Sequence, residues 1–158
     1  MVRKIVALGF VFFAFGCATR SHVPANGDAV AVVTARFNHG IEAFNRHDLE
    51  SFLDQFADDI EMYTPTGWLR GKAAVRARFV ETFTQFPAVR METDSLRARL
   101  VGPDVVVVDF AWRVFPQGAG PAFHGVSSGV YVSRAGAWVE VHEHEVVTRV
   151  DAPLPGTR

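Results

Sequence analysis

The chain has only one cysteine in 158 residues, at position 17. A single cysteine excludes an internal disulfide framework and a zinc site built from several cysteines. Basic residues are not in excess, because 16 Lys and Arg stand against 17 Asp and Glu, and no Lys/Arg run alternates with aromatic residues. The charge pattern therefore gives no sign of a nucleic-acid partner.

The sequence also lacks the short motifs of several enzyme classes. It has no glycine-rich phosphate-binding loop, and neither Ser128 nor Cys17 lies in a nucleophile elbow. Nucleotide binding and triad-type hydrolysis are disfavoured for this reason. Hydrophobic residues make up 49% of the chain and include 14 phenylalanines, which is enough for one substantial core in a single domain.

A hydrophobic run near the start of the chain is too short to cross a membrane. Residues 5–15 carry no charge and follow a basic pair, as in a signal peptide, whereas a membrane-spanning helix needs ~20 apolar residues. Residues 14–17 resemble a bacterial lipobox. The prediction is a signal peptide over residues 1–17, export, and a lipid anchor on Cys17 as the only contact with the cell-envelope membrane. The alternative is cleavage after Ala18, which would give a periplasmic or secreted protein.

The remaining residues divide into a tether, one domain and a tail. Residues 18–27 are polar, include a proline and a glycine, and lack periodicity, so they are interpreted as a tether. The folded domain is predicted over residues 28–150. Residues 151–158 are predicted to form a flexible tail.

Helices are predicted in the first half of the domain. Val33, Phe37, Ile41 and Phe44 recur at helical spacing and indicate a long first helix that ends near Arg46. Two short amphipathic helices are predicted after it: one that Asp48 caps, over residues 49–56, and one that contains Val75, Phe79 and Phe83.

The second half of the domain has the pattern of strands joined by short turns. The predicted strands cover residues 89–100, 105–115, 122–133 and 137–150. Their separators are short enough for hairpins, which predicts an antiparallel meander. Helices followed by strands are typical of an α+β fold, in which the apolar side of the sheet packs on the helices.

The last predicted strand carries more polar chemistry than any other segment. Because strand side chains alternate, one face is predicted to hold Trp138, Glu140, His142 and His144. The other face would then hold Val139, Val141, Glu143 and Glu145.

Several short segments occur in a recognisable order. They are residues 44–49, residues 56–60, residues 71–75, and the ending Gly136-Ala-Trp138-Val-Glu-Val-His142-Glu-His144. Their order over residues 28–150 resembles the SnoaL-like family of the nuclear-transport-factor-2-like superfamily, and the ending is also similar to that of kinase association domains. The resemblance implies a cone-shaped, bent antiparallel sheet wrapped round a long N-terminal helix, with two further short helices. Family members include enzymes, ligand binders and assembly modules, so the fold does not fix an activity.

Three residues are candidates for acid–base catalysis. Asp109 and Arg113 are expected on the same side of their strand, and a carboxyl group in an apolar cone mouth would have a raised pKa suited to a general base. His142 is the alternative base. Tyr63 would donate a hydrogen bond to a developing oxyanion, as the resemblance to ketosteroid isomerases of the superfamily implies.

A second set of residues is predicted to contact a ligand, namely Phe44, Trp68, Trp112, Arg113, His124, Trp138 and His144. Arg113 is similar in position to an arginine that holds acidic ligands in kinase association domains, although the second arginine of that pocket falls on Gly129. A small apolar or acidic ligand is expected. His142 and His144 could share a metal with Glu140 or His124, but the sequence fixes no third ligand. The prediction is that neither a metal nor a cofactor is used.

Two classes of function remain open. The first is binding of a small, partly apolar molecule, or service as a dimerising module, because no complete catalytic set is present and the apolar strand 105–114 needs cover on its outer side. A homodimer is expected in that case. The alternative is a cofactor-independent isomerase, dehydratase or cyclase that moves a proton on a carbonyl compound, with Asp109 or His142 as the base and Tyr63 as the donor.

Overall fold

The computed structural model describes residues 26–118 and 120–152. The predicted signal peptide, the lipidation site Cys17 and nearly all of the predicted tail lie outside these residues. Within them, no helix has both the length and the apolar character needed to cross a membrane.

Three helices and six strands follow one another within the described residues. The helices are α1 (Asn26–Arg46), α2 (Leu49–Leu53) and α3 (Lys72–Gln85). The strands are β1 (Phe56–Thr64), β2 (Gly67–Arg70), β3 (Val89–Gly102), β4 (Val105–Pro116), β5 (Ala122–Arg134) and β6 (Ala137–Asp151). The α+β fold class is therefore confirmed, with a long first helix and a curled sheet.

The helices form where the apolar periodicity and the capping residue predict them. The apolar positions Val33, Phe37 and Phe44 of α1 are buried. The Asp48 side chain caps α2, because its Oδ1 accepts a hydrogen bond from the Ser51 backbone N–H at 3.2 Å. The helix ends earlier than predicted, since the next apolar residue of the pattern, Phe56, belongs to β1.

The sheet has the strand order β2-β1-β6-β5-β4-β3. The hairpin-linked strands β3 to β6 pair antiparallel, which confirms the predicted meander. Strand β1 pairs with β6 in parallel, so β6, the last of the described strands, is an inner strand of the sheet. Both edges of β6 are therefore hydrogen-bonded, and its side chains project from the middle of the sheet.

The core has two parts, which lie along α1. One joins its C-terminal half to α2, α3 and β1, and the other packs its N-terminal half against β4, β5 and the start of β6. Phe44 is central to the first, with its ring centroid 5.2 to 6.0 Å from those of Phe52, Phe79 and Phe83. Edge-to-face ring pairs of this kind add stability beyond area burial.

A β-bulge at Val141 changes the side-chain alternation of β6. Val130 pairs with His142 and Tyr131 pairs with Glu140, which leaves Val141 without a partner on β5. An extra residue in one strand reverses the side to which every following residue points. The predicted single face holding Trp138, Glu140, His142 and His144 is therefore wrong, because both histidines lie on the opposite face from the other two.

Candidate functional site

The space between the helices and the inner face of the sheet contains a cavity of about 360 Å³. This volume lies within the usual range for small-molecule sites. Its wall is largely aromatic, with contributions from Phe37, Phe44, Phe52, Phe56, Phe79, Phe86, Phe110, Trp112 and Phe115. A ligand of this cavity would be in contact mainly with apolar surface.

Three glutamates of β6 supply the acidic part of the cavity wall. Glu140, Glu143 and Glu145 all line it. Glu140 lies before the bulge at Val141 and the other two lie after it, so the bulge is what brings the three carboxyl groups to the same side. The cavity therefore contains a carboxyl cluster in aromatic surroundings.

Glu143 is a buried acid on this wall, with 8% of its surface exposed. Burial, followed by the negative charge of Glu145, raises the pKa of its carboxyl group to about 8, although Arg78 and a hydrogen bond with Ser127 act in the opposite direction. At pH 7 the Glu143 carboxyl group therefore holds its proton and can donate a hydrogen bond into the cavity.

Ser127 links Glu143 to an aromatic residue of the wall. The Trp112 indole Nε1–H donates to Ser127 Oγ at 3.0 Å. An indole nitrogen is only a donor, so Ser127 accepts this bond and keeps its own hydroxyl proton, and the Ser127 hydroxyl lowers the pKa of the neighbouring Glu143 carboxyl group. Trp112, Ser127 and Glu143 are therefore neighbours on the cavity wall.

Glu140 lies deeper and is more strongly desolvated. Burial, followed by the charge of Glu143, raises its pKa well above the usual range, and a hydrogen bond with Tyr131 acts in the opposite direction. The Tyr131 hydroxyl donates its one proton to Gln55 Oε1 at 3.1 Å. Gly129 makes room for this carboxyl group, because a Cβ atom there would overlap Glu140 Oε1.

The third carboxylate, Glu145, is paired with Arg78 of α3. Two guanidinium nitrogens donate to its two oxygens at 2.9 and 2.7 Å, and the Glu145 side chain is 12% exposed. Planar two-point pairs of this kind are among the strongest ion pairs in proteins. The pair connects α3 to the sheet at the cavity wall.

We expect Arg78→Met to lower the free energy of unfolding by about 2 kcal/mol, because it leaves a largely buried carboxylate without its partner. Arg76→Met is the matched control. Arg76 is on the same helix as Arg78 and forms a similar pair with Glu50 of α2. Both side chains of that pair are largely exposed, so little change in the free energy of unfolding is expected. Urea unfolding at pH 7 measures both variants, and equal effects would contradict a special role for Arg78.

The predicted catalytic residues Tyr63, Asp109 and His142 lie on the outer face of the sheet, away from the cavity. The Tyr63 ring is 5.1 Å from that of His144, and the His142 ring is 6.0 Å from that of Trp68. Asp109 accepts a hydrogen bond of 2.6 Å from Ser128 on the same outer face. The hypothesis that these three side chains meet in the cone mouth is therefore not supported by their positions.

The predicted ligand-contacting residues are divided between the two faces. Phe44 and Trp112 line the cavity. Trp138 is buried in the part of the core around the first half of α1. The remaining four point outward, as their partners show: Arg113 pairs with Glu92 at 3.3 Å, His124 with Asp151 at 2.8 Å, and Trp68 and His144 pack on Tyr63.

Two possibilities raised by the sequence, a shared metal ion and a homodimer, concern the outer face of the sheet. Within residues 26–118 and 120–152, no three His, Cys, Asp or Glu side chains are grouped closely enough to hold a metal ion. The face also carries exposed apolar side chains, including Val126 at 46% and Val146 at 43%. The homodimer remains a prediction, with this face as the surface it would use.

The sequence pattern did not predict that Glu140, Glu143 and Glu145 share a face, because strict alternation of side chains was assumed on both sides of Val141. Two glycines of β5 were the available signal. A glycine inside a strand often marks a site where a neighbouring group approaches closely. Gly129 faces the Glu140 carboxyl group, and Gly125 faces the Trp112 ring, so both point to large side chains on the inner face.

Comparison with known proteins identifies both the sequence family and the fold. The SnoaL-like domain matches residues 35–141. No curated protein matches the chain in sequence. Among solved structures, an uncharacterised protein with a cystatin-like fold from Caulobacter vibrioides superposes with a TM-score of 0.69 at 18% identity, covering 78% of this chain and 92% of the other.

Two further structures carry names of enzymes. A candidate scytalone dehydratase from Novosphingobium aromaticivorans superposes with a TM-score of 0.70 at 14% identity, covering 83% of this chain and 92% of the other. A hexachlorocyclohexane dehydrochlorinase, LinA type 2, superposes with a TM-score of 0.65 at 15% identity, covering 81% and 90%. At such low identity the likeness establishes the fold and leaves the activity open.

Proposed function

The chain belongs to the SnoaL-like domain family, and we propose that it binds a small, partly apolar molecule in its interior cavity. The observation that carries this proposal is the composition of the wall, which is aromatic on most sides and carries carboxyl groups on one strand. Sites for small molecules commonly combine an apolar lining with a few polar groups that fix the orientation of the ligand. The apolar body of the ligand lies among the phenylalanines, and its polar group faces β6.

Glu143 is the residue best placed to contact the polar group of the ligand. Glu145 is bound by Arg78 through two hydrogen bonds, and Glu140 is only 4% exposed, so Glu143 is the one of the three that has neither an ion-pair partner nor the deepest burial. Ser127, which is hydrogen-bonded to Trp112, lies beside Glu143 on the wall. We assign Glu143 as the polar anchor of the cavity.

A cavity-filling substitution tests the proposal. Val147 lines the cavity, whereas its neighbour Val146 is 43% exposed on the outer face. We expect Val147→Phe to weaken binding of the neutral fluorophore N-phenyl-1-naphthylamine by about tenfold, because the added ring occupies ligand volume. Val146→Phe should bind the fluorophore like the unaltered protein.

Fluorescence titration, with circular dichroism as the check on folding, gives both affinities. The binding proposal fails if the fluorophore does not bind to the unaltered protein. It also fails if both variants bind equally well, since the fluorophore would then occupy a surface other than the cavity.

A second candidate function is cofactor-independent proton transfer on a carbonyl compound. It is favoured by two neighbouring carboxyl groups in different states, since Glu143 holds a proton at pH 7 and Glu145 is an ion-paired carboxylate. In such a reaction, Glu145 would remove a proton from the carbon next to the carbonyl group, and Glu143 would donate its proton to the carbonyl oxygen, which gives the enol.

Solvent-deuterium incorporation into 2-tetralone, followed by NMR, tests this candidate. Equal exchange rates for the protein and its Glu143→Gln variant would exclude it.

A further inference from the structure

The ionisable side chains of the cavity wall are mostly acidic. Among the described residues that line it, the charged or ionisable side chains are those of Arg78, Glu140, Glu143 and Glu145. The single guanidinium group is already bound through two hydrogen bonds to Glu145. Two carboxyl groups therefore face the cavity region without a cation of their own.

The positions expected to hold an acidic ligand do not provide a cation inside the cavity. Arg113 points outward and pairs with Glu92. The second position is Gly129, and the space above it is filled by the carboxyl group of Glu140. An anionic ligand would thus meet carboxyl groups in the cavity, where a site for an acidic ligand needs arginines. The site therefore favours a cationic ligand over the acidic ligand that the sequence predicted.

The apolar part of the wall also favours a positive charge. Cations are attracted to the faces of aromatic rings. Trp112 is hydrogen-bonded to Ser127, and Phe110 lies opposite Ser127 in the sheet, so both rings flank the serine that lies beside Glu143. An aromatic cavity with uncompensated carboxyl groups has the chemistry of a site for organic cations.

We infer that the ligand of this cavity is an apolar amine, whose ammonium group replaces the proton on Glu143 and whose hydrocarbon body lies among the phenylalanines. This inference rests on the proposed binding function and names the chemical class of the ligand. It replaces the earlier expectation of an acidic ligand.

The energetic balance permits such a ligand at neutral pH. The pKa of Glu143 is about 8, so removing its proton at pH 7 lowers the affinity by only about tenfold. A hydrogen bond between two charged groups is roughly twice as strong as a neutral one, and attraction to the ring faces adds to it. We expect the amine to bind about tenfold more tightly than an alcohol of the same size.

Three probes with the same phenyl body and different polar groups test the inference: 2-phenylethylammonium, 2-phenylethanol and 3-phenylpropionate. Calorimetric titration at pH 7 should rank the amine first and the acid last. Amine binding should release up to one proton, which is measured by repeating the titration in buffers of different ionisation enthalpy. In the Glu143→Gln variant, amine binding should weaken at least tenfold more than alcohol binding does.

The Glu92→Gln variant is the matched control, because Glu92 is an exposed glutamate on the outer face that pairs with Arg113. It should bind all three probes like the unaltered protein. The inference is overturned if the alcohol binds as tightly as the amine, if Glu143→Gln leaves amine binding intact, or if none of the three probes binds while N-phenyl-1-naphthylamine does. In each of these cases the binding function still stands. If the fluorophore also fails to bind, the binding function and the inference fall together.

Discussion

Glu143→Gln is expected to raise the free energy of unfolding by about 3 kcal/mol at pH 7. In the folded protein Glu143 keeps its proton up to about pH 8, whereas in the unfolded chain it ionises near the ordinary value of 4.5. Between these two pH values the unfolded chain gains stability by releasing a proton that the folded protein retains. Glutamine removes this penalty and can still accept the hydrogen bond from Ser127.

The sign of the pH dependence follows from the raised pKa. Stability linked to Glu143 is fully present below pH 4.5, falls as the pH rises to about 8, and is constant above that. Glu140, Glu145, Arg78 and Tyr131 surround Glu143, and the charge of Glu143 raises the pKa of Glu140, so the difference between variant and parent reports on these two neighbouring carboxyl groups together.

Urea unfolding at pH 4.5, 6, 7 and 8 measures this difference. It should be close to zero at pH 4.5 and should increase to about 3 kcal/mol at pH 7. The exposed control Glu92→Gln should show no such increase. A difference that does not vary with pH would mean that Glu143 is already ionised in the folded protein.

Gly125→Ala is expected to lower the free energy of unfolding by about 3 kcal/mol. A Cβ atom at this position would overlap the Trp112 ring and the backbone carbonyl oxygen of Val146. The carbonyl belongs to the middle of the sheet and cannot move without breaking strand pairing. Movement of the indole would break its hydrogen bond to Ser127, which lies beside Glu143.

Gly102→Ala is the control for this substitution. It adds the same methyl group to a strand glycine, but the nearest atoms, in Val105, would be 3.8 Å away, which is ordinary contact. Thermal unfolding should therefore separate the two variants clearly. If Gly125→Ala is as stable as Gly102→Ala, the Trp112 ring and the Val146 carbonyl group can move aside at little cost, and glycine is not required at position 125.

Much of the fold could be predicted from local sequence, since its causes are local. The apolar residues of α1 recur at helical spacing, and Asp48 caps α2 through a backbone N–H only three residues away. The strands from β3 to β6 are separated by short turns, which leave antiparallel neighbours as the simplest arrangement. Phe44 and Trp112, which the sequence analysis predicts to contact a ligand, line the cavity.

The polar half of the site could not be predicted in this way. Which face a strand residue occupies depends on the register with its neighbours, and a single unpaired residue reverses that face for the rest of the strand. No residue of 138–145 signals that Val141 is unpaired, because the bulge arises where β6 pairs with β5 and β1 simultaneously.

The sequence by itself determined the elements, their order and the apolar residues that form the core, because helical periodicity, capping and hairpin length act between near neighbours in the chain. The tertiary structure alone decided which polar side chains enter the cavity. It placed β6 beside β1 in parallel, left Val141 unpaired, and so directed Glu143 and Glu145 inward and His142 and His144 outward. The physical reason is that strand pairing between distant segments sets the direction of every side chain, whereas the sequence records only their alternation.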